Sequence, residues 1–152
     1  MAIAYLSLGT NLGNKRRNLI TAAALLAERV GDILALSGFY ETEPWGFDSE
    51  NTFLNAALKL RTSLSPSALL TVTQAIEKEL GRTVKSKDFY QDRVIDIDIL
   101  LYDDLVLDTV DLKIPHPLMV KRAFVLNPLS EIAPFVVHPI LKQSIKDLNE
   151  QV

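Results

Sequence analysis

The sequence predicts an α+β fold: a strand–helix–strand–strand–helix–strand core, with additional short helices and strands over the C-terminal third. Three observations carry this. Two segments place apolar residues at helical spacing, Leu19, Ala22, Leu26 and Val30 in the first and Leu69, Val72, Ile76 and Leu80 in the second. Four other segments are rich in aliphatic and aromatic residues and are bounded by turn formers. The 152 residues are 48% hydrophobic and 23% charged, and a chain of that length buries a core large enough to stand without cross-links. One domain, residues 1–152, is the expected organisation.

Ala2 to Leu8 read as the first strand, ending in the turn-forming stretch Gly9-Thr10-Asn11-Leu12-Gly13-Asn14. A helix follows from Lys15, with Gly31 in the position of a C-terminal cap. Ile33 to Tyr40 and Phe53 to Leu60 read as two strands joined by a long loop through Pro44-Trp45-Gly46. Ser65 then supplies an N-cap and Pro66 the first helical position of a helix that runs to Gly81. Val94 to Tyr102 is an aliphatic strand interrupted only by Asp96 and Asp98. This order is the split βαβ arrangement of ferredoxin-like folds. Pro115, Pro117, Pro128, Pro134 and Pro139 exclude a central strand from the remainder, which should form short helices and loops on the sheet edge or ends.

Composition narrows the function. Sixteen Lys and Arg against nineteen Asp and Glu give a net charge of −3, so no basic field exists to hold nucleic acid or an anionic membrane. No apolar run approaches the roughly 20 residues of a membrane span, and the N-terminus has no basic region ahead of its apolar residues. A cytoplasmic enzyme or binding module is the default expectation. The absence of cysteine removes disulfides, thiolate zinc sites and cysteine nucleophiles together.

The sharpest chemical feature is Arg93-Val94-Ile95-Asp96-Ile97-Asp98-Ile99-Leu100. Strand side chains alternate faces, so Asp96 and Asp98 project on one side with Cα atoms roughly 6.6 Å apart. Two such carboxylates repel each other and resist desolvation unless cations compensate them. They form either a pair holding one or two Mg²⁺ ions against phosphate oxygens or a solvated strand surface with two ordinary aspartates. Arg82, Lys85, Lys87 and Arg93 lie upstream and His116, Lys121 and Arg122 downstream, which suits a metal-bridged polyphosphate. The Gly9 to Lys15 loop has three residues between its glycines and no Ser or Thr after the lysine, so it is not a Walker motif and reads as a structural turn. His116 and His138 each precede a proline and are expected in loops. Glu41 to Gly46 and Phe53-Leu54-Asn55 offer the rings and amides that a flat heteroaromatic ligand requires, although core packing explains Phe53 and Phe124 equally well.

Taken together, these segments resemble the 6-hydroxymethyl-7,8-dihydropterin pyrophosphokinase family along essentially the whole chain. The ordered matches are Ser7 to Gly13, Thr42-Glu43-Pro44, Phe53 to Ala57, Glu77 with Gly81-Arg82, Arg93 to Leu100, Ile114 to Pro117, Arg122 to Leu126, Pro128-Leu129 and Glu131 to Pro134. The resemblance implies transfer of pyrophosphate from ATP to the pterin hydroxymethyl oxygen, with release of AMP, in folate biosynthesis. It implies two Mg²⁺ ions between Asp96, Asp98 and the ATP phosphates. It also implies triphosphate contacts from Arg82 and Arg93 on a mobile loop and from His116 and Arg122 opposite, with Gln74, Glu77 and Ile99 bordering the nucleotide. Thr42, Pro44, Trp45 and Asn55 would bind the pterin edge, and Phe53 and Phe124 would sandwich its ring.

One segment departs from the family pattern. Where aromatic-Gly-Pro-Arg is usual, this chain has Phe89-Tyr90-Gln91-Asp92-Arg93, with one residue more after Arg82; the second basic residue usual after that arginine corresponds to Val84 or Lys85. A monomer is expected, with 45–52 and 82–92 mobile in the absence of ligand. The reaction needs alignment and charge stabilisation more than covalent chemistry. Two other classes remain open on the residues alone: a non-catalytic ligand-sensing module of the same fold, and a nucleotidyltransferase that releases pyrophosphate.

Overall fold

The computed structural model describes residues 1–43, 52–81 and 94–152. Pro44, Trp45, Arg82 and Arg93, and nearly all of the two stretches expected to move, lie outside the described residues.

The core elements are β1 (Ala2–Thr10), α1 (Lys15–Arg29), β2 (Gly31–Leu36), β3 (Tyr40–Thr42), β4 (Phe53–Thr62), α2 (Pro66–Glu79) and β5 (Asp96–Tyr102). The strands lie in the order β2-β4-β1-β5 with antiparallel neighbours, and β3 adds to β4 beyond the end of β2. This is the ferredoxin-like topology expected from the element order. The caps form as read: Asn14 accepts from the Arg17 N–H at 3.1 Å and Ser65 from the Ala68 N–H at 3.2 Å. The Asn18 amide holds the loop before α1 by donating to Thr10 Oγ1 and the Leu12 carbonyl, and Gly13 takes φ +71°.

Three local expectations are corrected. Gly31 is not a cap but the first residue of β2. Val30 ends α1, and the buried Thr62 hydroxyl donates to its carbonyl at 2.8 Å. Gly31 serves close approach, because a Cβ there would stand 1.9 Å from the Arg61 carbonyl oxygen. The strand read as Ile33 to Tyr40 breaks at Ser37. Its N–H donates to the Ala57 carbonyl at 2.9 Å, but its Oγ, not its carbonyl, accepts from the Ala57 N–H at 2.8 Å. The chain leaves the ladder there and rejoins it at Tyr40. The C-terminal third, finally, is not confined to the sheet's edge or ends. Its elements β6 (Leu107–Asp108), β7 (Lys113–Ile114), α3 (Ala123–Ile132) and α4 (Ile145–Gln151) follow β5, and the two helices cover much of one face.

Side-chain alternation explains the resulting layers. Ala4, Leu6 and Leu8 of β1, Leu58 and Leu60 of β4, and Ile97 and Ile99 of β5 pack against Leu19 and Leu26 of α1 and Leu69 and Ile76 of α2. Tyr5, Ala57, Leu100 and Leu101 point the other way, onto Met119, Leu126 and Leu129 and onto Ile145 and Leu148 of α4. A register shift between Tyr5 and Leu6 lets both Leu100 and Leu101 join this second core. Each fully buried leucine contributes about 1.5–3 kcal/mol, so both layers are substantial. Among the described residues, no helix is long and apolar enough to cross a membrane.

The turn between α3 and α4 is organised by His138, whose Nδ1 accepts from the Ile140 and Leu141 N–H groups at 3.2 and 3.1 Å. Burial lowers its pKa below 6.5, so the unfolded chain binds the proton more readily. The stability this neutral ring contributes is therefore complete above the unfolded value and is lost as pH falls through the folded one. His138→Asn keeps an acceptor in the turn but cannot titrate. Its urea midpoint should fall less between about pH 7.5 and about pH 5.5 than that of the wild type. Identical acid losses in both proteins would contradict this role.

Candidate active site

The site is laid out by strand register. Asp98 pairs with Ser7 and Ser7 with Ala57; one rung further, Asp96 pairs with Gly9 and Gly9 with Asn55. The next rungs outward pair Asn55 with Tyr40 and Phe53 with Thr42. Paired residues share a face, so the two carboxylates, Asn55, Phe53 and Thr42 all stand on the α3 side of the sheet. A Cβ at Gly9 would lie 3.1 Å from Asn55 Oδ1 and 3.8 Å from Phe53 Cδ1, so glycine lets the Asn55 amide and the Phe53 ring pack close against β1 beside the carboxylates. Asn55 is buried, and its Nδ2 donates to Thr42 Oγ1 at 2.7 Å.

The wall above Asp98 comes from the C-terminal third. The His116 N–H donates to the Leu100 carbonyl at 3.0 Å, which fastens the turn to β5. His116 Nε2 then stands 4.0 Å from Asp98 Oδ1, and Arg122 Nη1 stands 4.0 Å from Asp98 Oδ2. His116 Nδ1 accepts from the Leu118 N–H at 3.2 Å, which assigns the neutral ring's proton to Nε2, on the Asp98 side. Burial lowers the His116 pKa, and the Asp96 carboxylate opposes that shift in part. Arg122 is only 6% exposed, and burial brings its pKa down to about 10, which leaves it cationic at neutral pH. Its guanidinium carbon lies 5.5 Å from the centroid of the Phe124 ring.

Behind the carboxylates, the buried Glu77 of α2 accepts from the Ile97 N–H at 2.8 Å and ties that helix to the strand between the two aspartates. Because β5 is the last strand of its sheet, its outer edge is open to a cleft of about 250 Å³. Leu70 and Ile99 line this cleft from the helical side, the β6–β7 hairpin from the other, and Asp98 and His116 at its inner end.

The structure thus gathers Asp96, Asp98, His116, Arg122 and Phe124 on the same side of the sheet as Thr42, Phe53 and Asn55. Ile99 and Glu77 belong to the helical side, where Gln74 is exposed on α2. The sequence reading missed Leu70 and the hairpin residues Val110 to Lys113 of the cleft. Val110, 98% exposed, is an apolar residue set between Thr109 and Asp111, and it is the only signal the hairpin gives.

The family model for 7,8-dihydro-6-hydroxymethylpterin-pyrophosphokinase matches residues 5–134. The chain belongs to this family. A 2-amino-4-hydroxy-6-hydroxymethyldihydropteridine pyrophosphokinase of Porphyromonas gingivalis is 54% identical over 141 residues, which is 91% of this chain and 95% of that protein. The Aquifex aeolicus protein of the same name is 43% identical over 151 residues, covering 99% of this chain and 92% of its own. Among solved structures, Plasmodium falciparum HPPK-DHPS superposes with a TM-score of 0.77 at 20% identity, over 99% of this chain and 43% of that one. That likeness concerns the fold, and this chain spans less than half of the Plasmodium one.

In this pyrophosphokinase-family chain the sign of the site's electrostatics can be read on His116. Its ring should titrate below 6.5 in the free protein, and Asp96→Asn should lower its pKa further by removing the carboxylate that supports the imidazolium. Histidine ring NMR across a pH series measures both. An unchanged or raised value in Asp96→Asn would contradict the arrangement.

Proposed function

We propose that the chain transfers the pyrophosphoryl group of ATP to the hydroxymethyl oxygen of 6-hydroxymethyl-7,8-dihydropterin, releasing AMP, in folate biosynthesis. Family membership supports the reaction class. The observation that carries the residue assignment is the meeting of Asp98 with His116 and Arg122 beside the cleft along β5, with Asn55 on the same face of the sheet.

In this reading the nucleotide base lies in the cleft against Leu70, Ile99, Val110 and Leu112, all of which offer apolar surface. The Ile97 N–H points away from β1, since Glu77 takes it, and Ile99, two residues on, presents its backbone in the same direction. The triphosphate then passes His116 and Arg122 toward the carboxylates, with Arg82 and Arg93 as further partners implied by the family pattern. The pterin lies over Gly9, its polar edge on Asn55 and Thr42 and its ring faces on Phe53 and Phe124.

The donor set fits Mg²⁺. Asp96 and Asp98, two residues apart on β5, offer hard carboxylate oxygen donors and leave the remaining positions to phosphate and water, as Mg²⁺ prefers. Asp96 and Asp98 would hold the ions, which when bound supply Lewis-acid neutralisation of phosphate charge. In the step itself the hydroxymethyl oxygen forms a bond to the β-phosphorus, the bond from that phosphorus to the α–β bridging oxygen breaks, and AMP carries the bridging oxygen away. The alcohol proton passes to solvent. Arg122, cationic and desolvated, stabilises charge on the transferring group. His116 donates its Nε2–H, and the Phe124 and Asn55 contacts orient the nucleophile.

Incubation with ATP, Mg²⁺ and the hydroxymethyl pterin, with the nucleotide product identified, tests the proposal directly. AMP is expected; ADP or free pyrophosphate overturns it. Asp96→Ala and Asp98→Ala should each lower kcat by about a hundredfold or more, as the loss of several kcal/mol of charge stabilisation demands, while remaining folded. Wild-type turnover in either variant would remove the carboxylates from the mechanism.

A further inference from the structure

Glu131 is an acid at the wrong end of a helix. It lies in the last turn of α3, where the helix dipole disfavours negative charge, and it is exposed, so neither helix stability nor core packing explains it. Yet it gathers three hydrogen bonds. The Gly38 N–H donates to both of its oxygens, at 3.2 and 3.1 Å, and the Tyr40 hydroxyl donates to Oε1 at 2.5 Å. Both donors belong to the break in the edge strand. The Ser37 side chain takes over the ladder there, which carries Gly38 out of the sheet, and Tyr40 begins β3.

The two ends of this contact lead to the proposed pterin site. Phe124 precedes Glu131 by seven residues on α3, two turns and roughly 10.5 Å along the axis, so both lie on one stripe of the helix. Tyr40 pairs with Asn55, whose amide donates to Tyr40's own carbonyl at 3.5 Å and to Thr42 Oγ1 at 2.7 Å. A single carboxylate therefore joins the helix that carries one ring face to the strand segment that carries the polar edge. The hydrogen bond from Tyr40 to Glu131 is also the first cause of the raised Tyr40 pKa, about 12.

We propose that Glu131 is a positioning residue for the pterin: through Gly38 and Tyr40 it docks α3 on β3 and so sets the spacing between Phe124 and the Asn55–Thr42 edge. This rests on the pterin-binding reading above and assigns that site a residue which does not itself touch the ligand. The test is calorimetry of the pterin, in the presence of a non-hydrolysable ATP analogue, and of the analogue alone, well below each protein's Tm. Glu131→Ala should weaken the pterin about tenfold and the analogue less than about twofold, and Tyr40→Phe should weaken the pterin about threefold. Tyr40→Phe added to Glu131→Ala should cost nothing more, since the hydroxyl then has no carboxylate to hold. Should Glu131→Ala fail to fold, the Tyr40→Phe result decides. Equal losses for both ligands, or pterin affinity unchanged in the folded variants, would overturn the proposal. Absence of pterin binding by the wild-type protein would overturn the functional reading itself, and this inference with it.

Discussion

Charge compensation in one corner of the sheet governs this structure. Asp96 and Asp98 stand side by side on a strand whose other side chains are mainly aliphatic, and Arg122, nearly buried, faces them. Desolvating a charge with no opposite charge nearby costs several kcal/mol, and Asp98, half-exposed and 4.0 Å away, is the opposite charge placed beside the nearly buried Arg122. At 4.0 Å the contacts of Asp98 with Arg122 and His116 are long, beyond direct hydrogen bonding. Groups held this far apart leave room between them, which suits a proposed occupant that itself carries both phosphate oxygens and divalent cations.

The rest of the fold makes that corner possible. Helices cover both faces of the sheet, and on the second face they seal one part of it fully. Leu126 and Leu129 of α3 and Leu148 of α4 seal Tyr5, Ala57 and Leu101. Toward the other end of β1 the side chains shrink to Ser7 and Gly9, which lets the Asn55 amide and the Phe53 ring lie close to the strand beside the carboxylates. The outer strand β5 ends the sheet, so the cleft wraps around it and the site draws on both layers. Rigid strands carry the groups that must be fixed, and the connections carry those that must reach over them.

Much of this is legible in the sequence because periodicity is a direct readout of geometry. Spacings such as Leu19, Ala22 and Leu26 mark the helices, and the two-residue interval between Asp96 and Asp98 puts them on a shared face through strand alternation alone. Other features carry no such signature. A glycine after a helix looks like a cap whether it takes a positive φ or, as at Gly31, lets two backbones approach. Ser37 interrupts an apolar run by replacing a carbonyl with its hydroxyl, a substitution invisible to propensity. The prolines of the C-terminal third exclude a central strand but do not say which face the helices cover. β6 and β7 are two residues each, too short for any pattern. The roles of individual site residues come from resemblance, not from periodicity, and Glu131 lies in a segment that the resemblance marks but, as an exposed acid, carries no sign of what it holds.

The account stands or falls on whether the paired carboxylates act as a cation site for a polyphosphate. Calorimetric titration of a non-hydrolysable ATP analogue, with Mg²⁺ and again in excess chelator, measures this without turnover. The expected result is an affinity at least about tenfold higher with Mg²⁺ in the wild-type protein, since phosphate charge beside Asp96 and Asp98 must otherwise be borne uncompensated. That difference should disappear in Asp96→Ala and in Asp98→Ala. Equal affinity with and without Mg²⁺ in the wild type, or an undiminished Mg²⁺ effect in both variants, would contradict it.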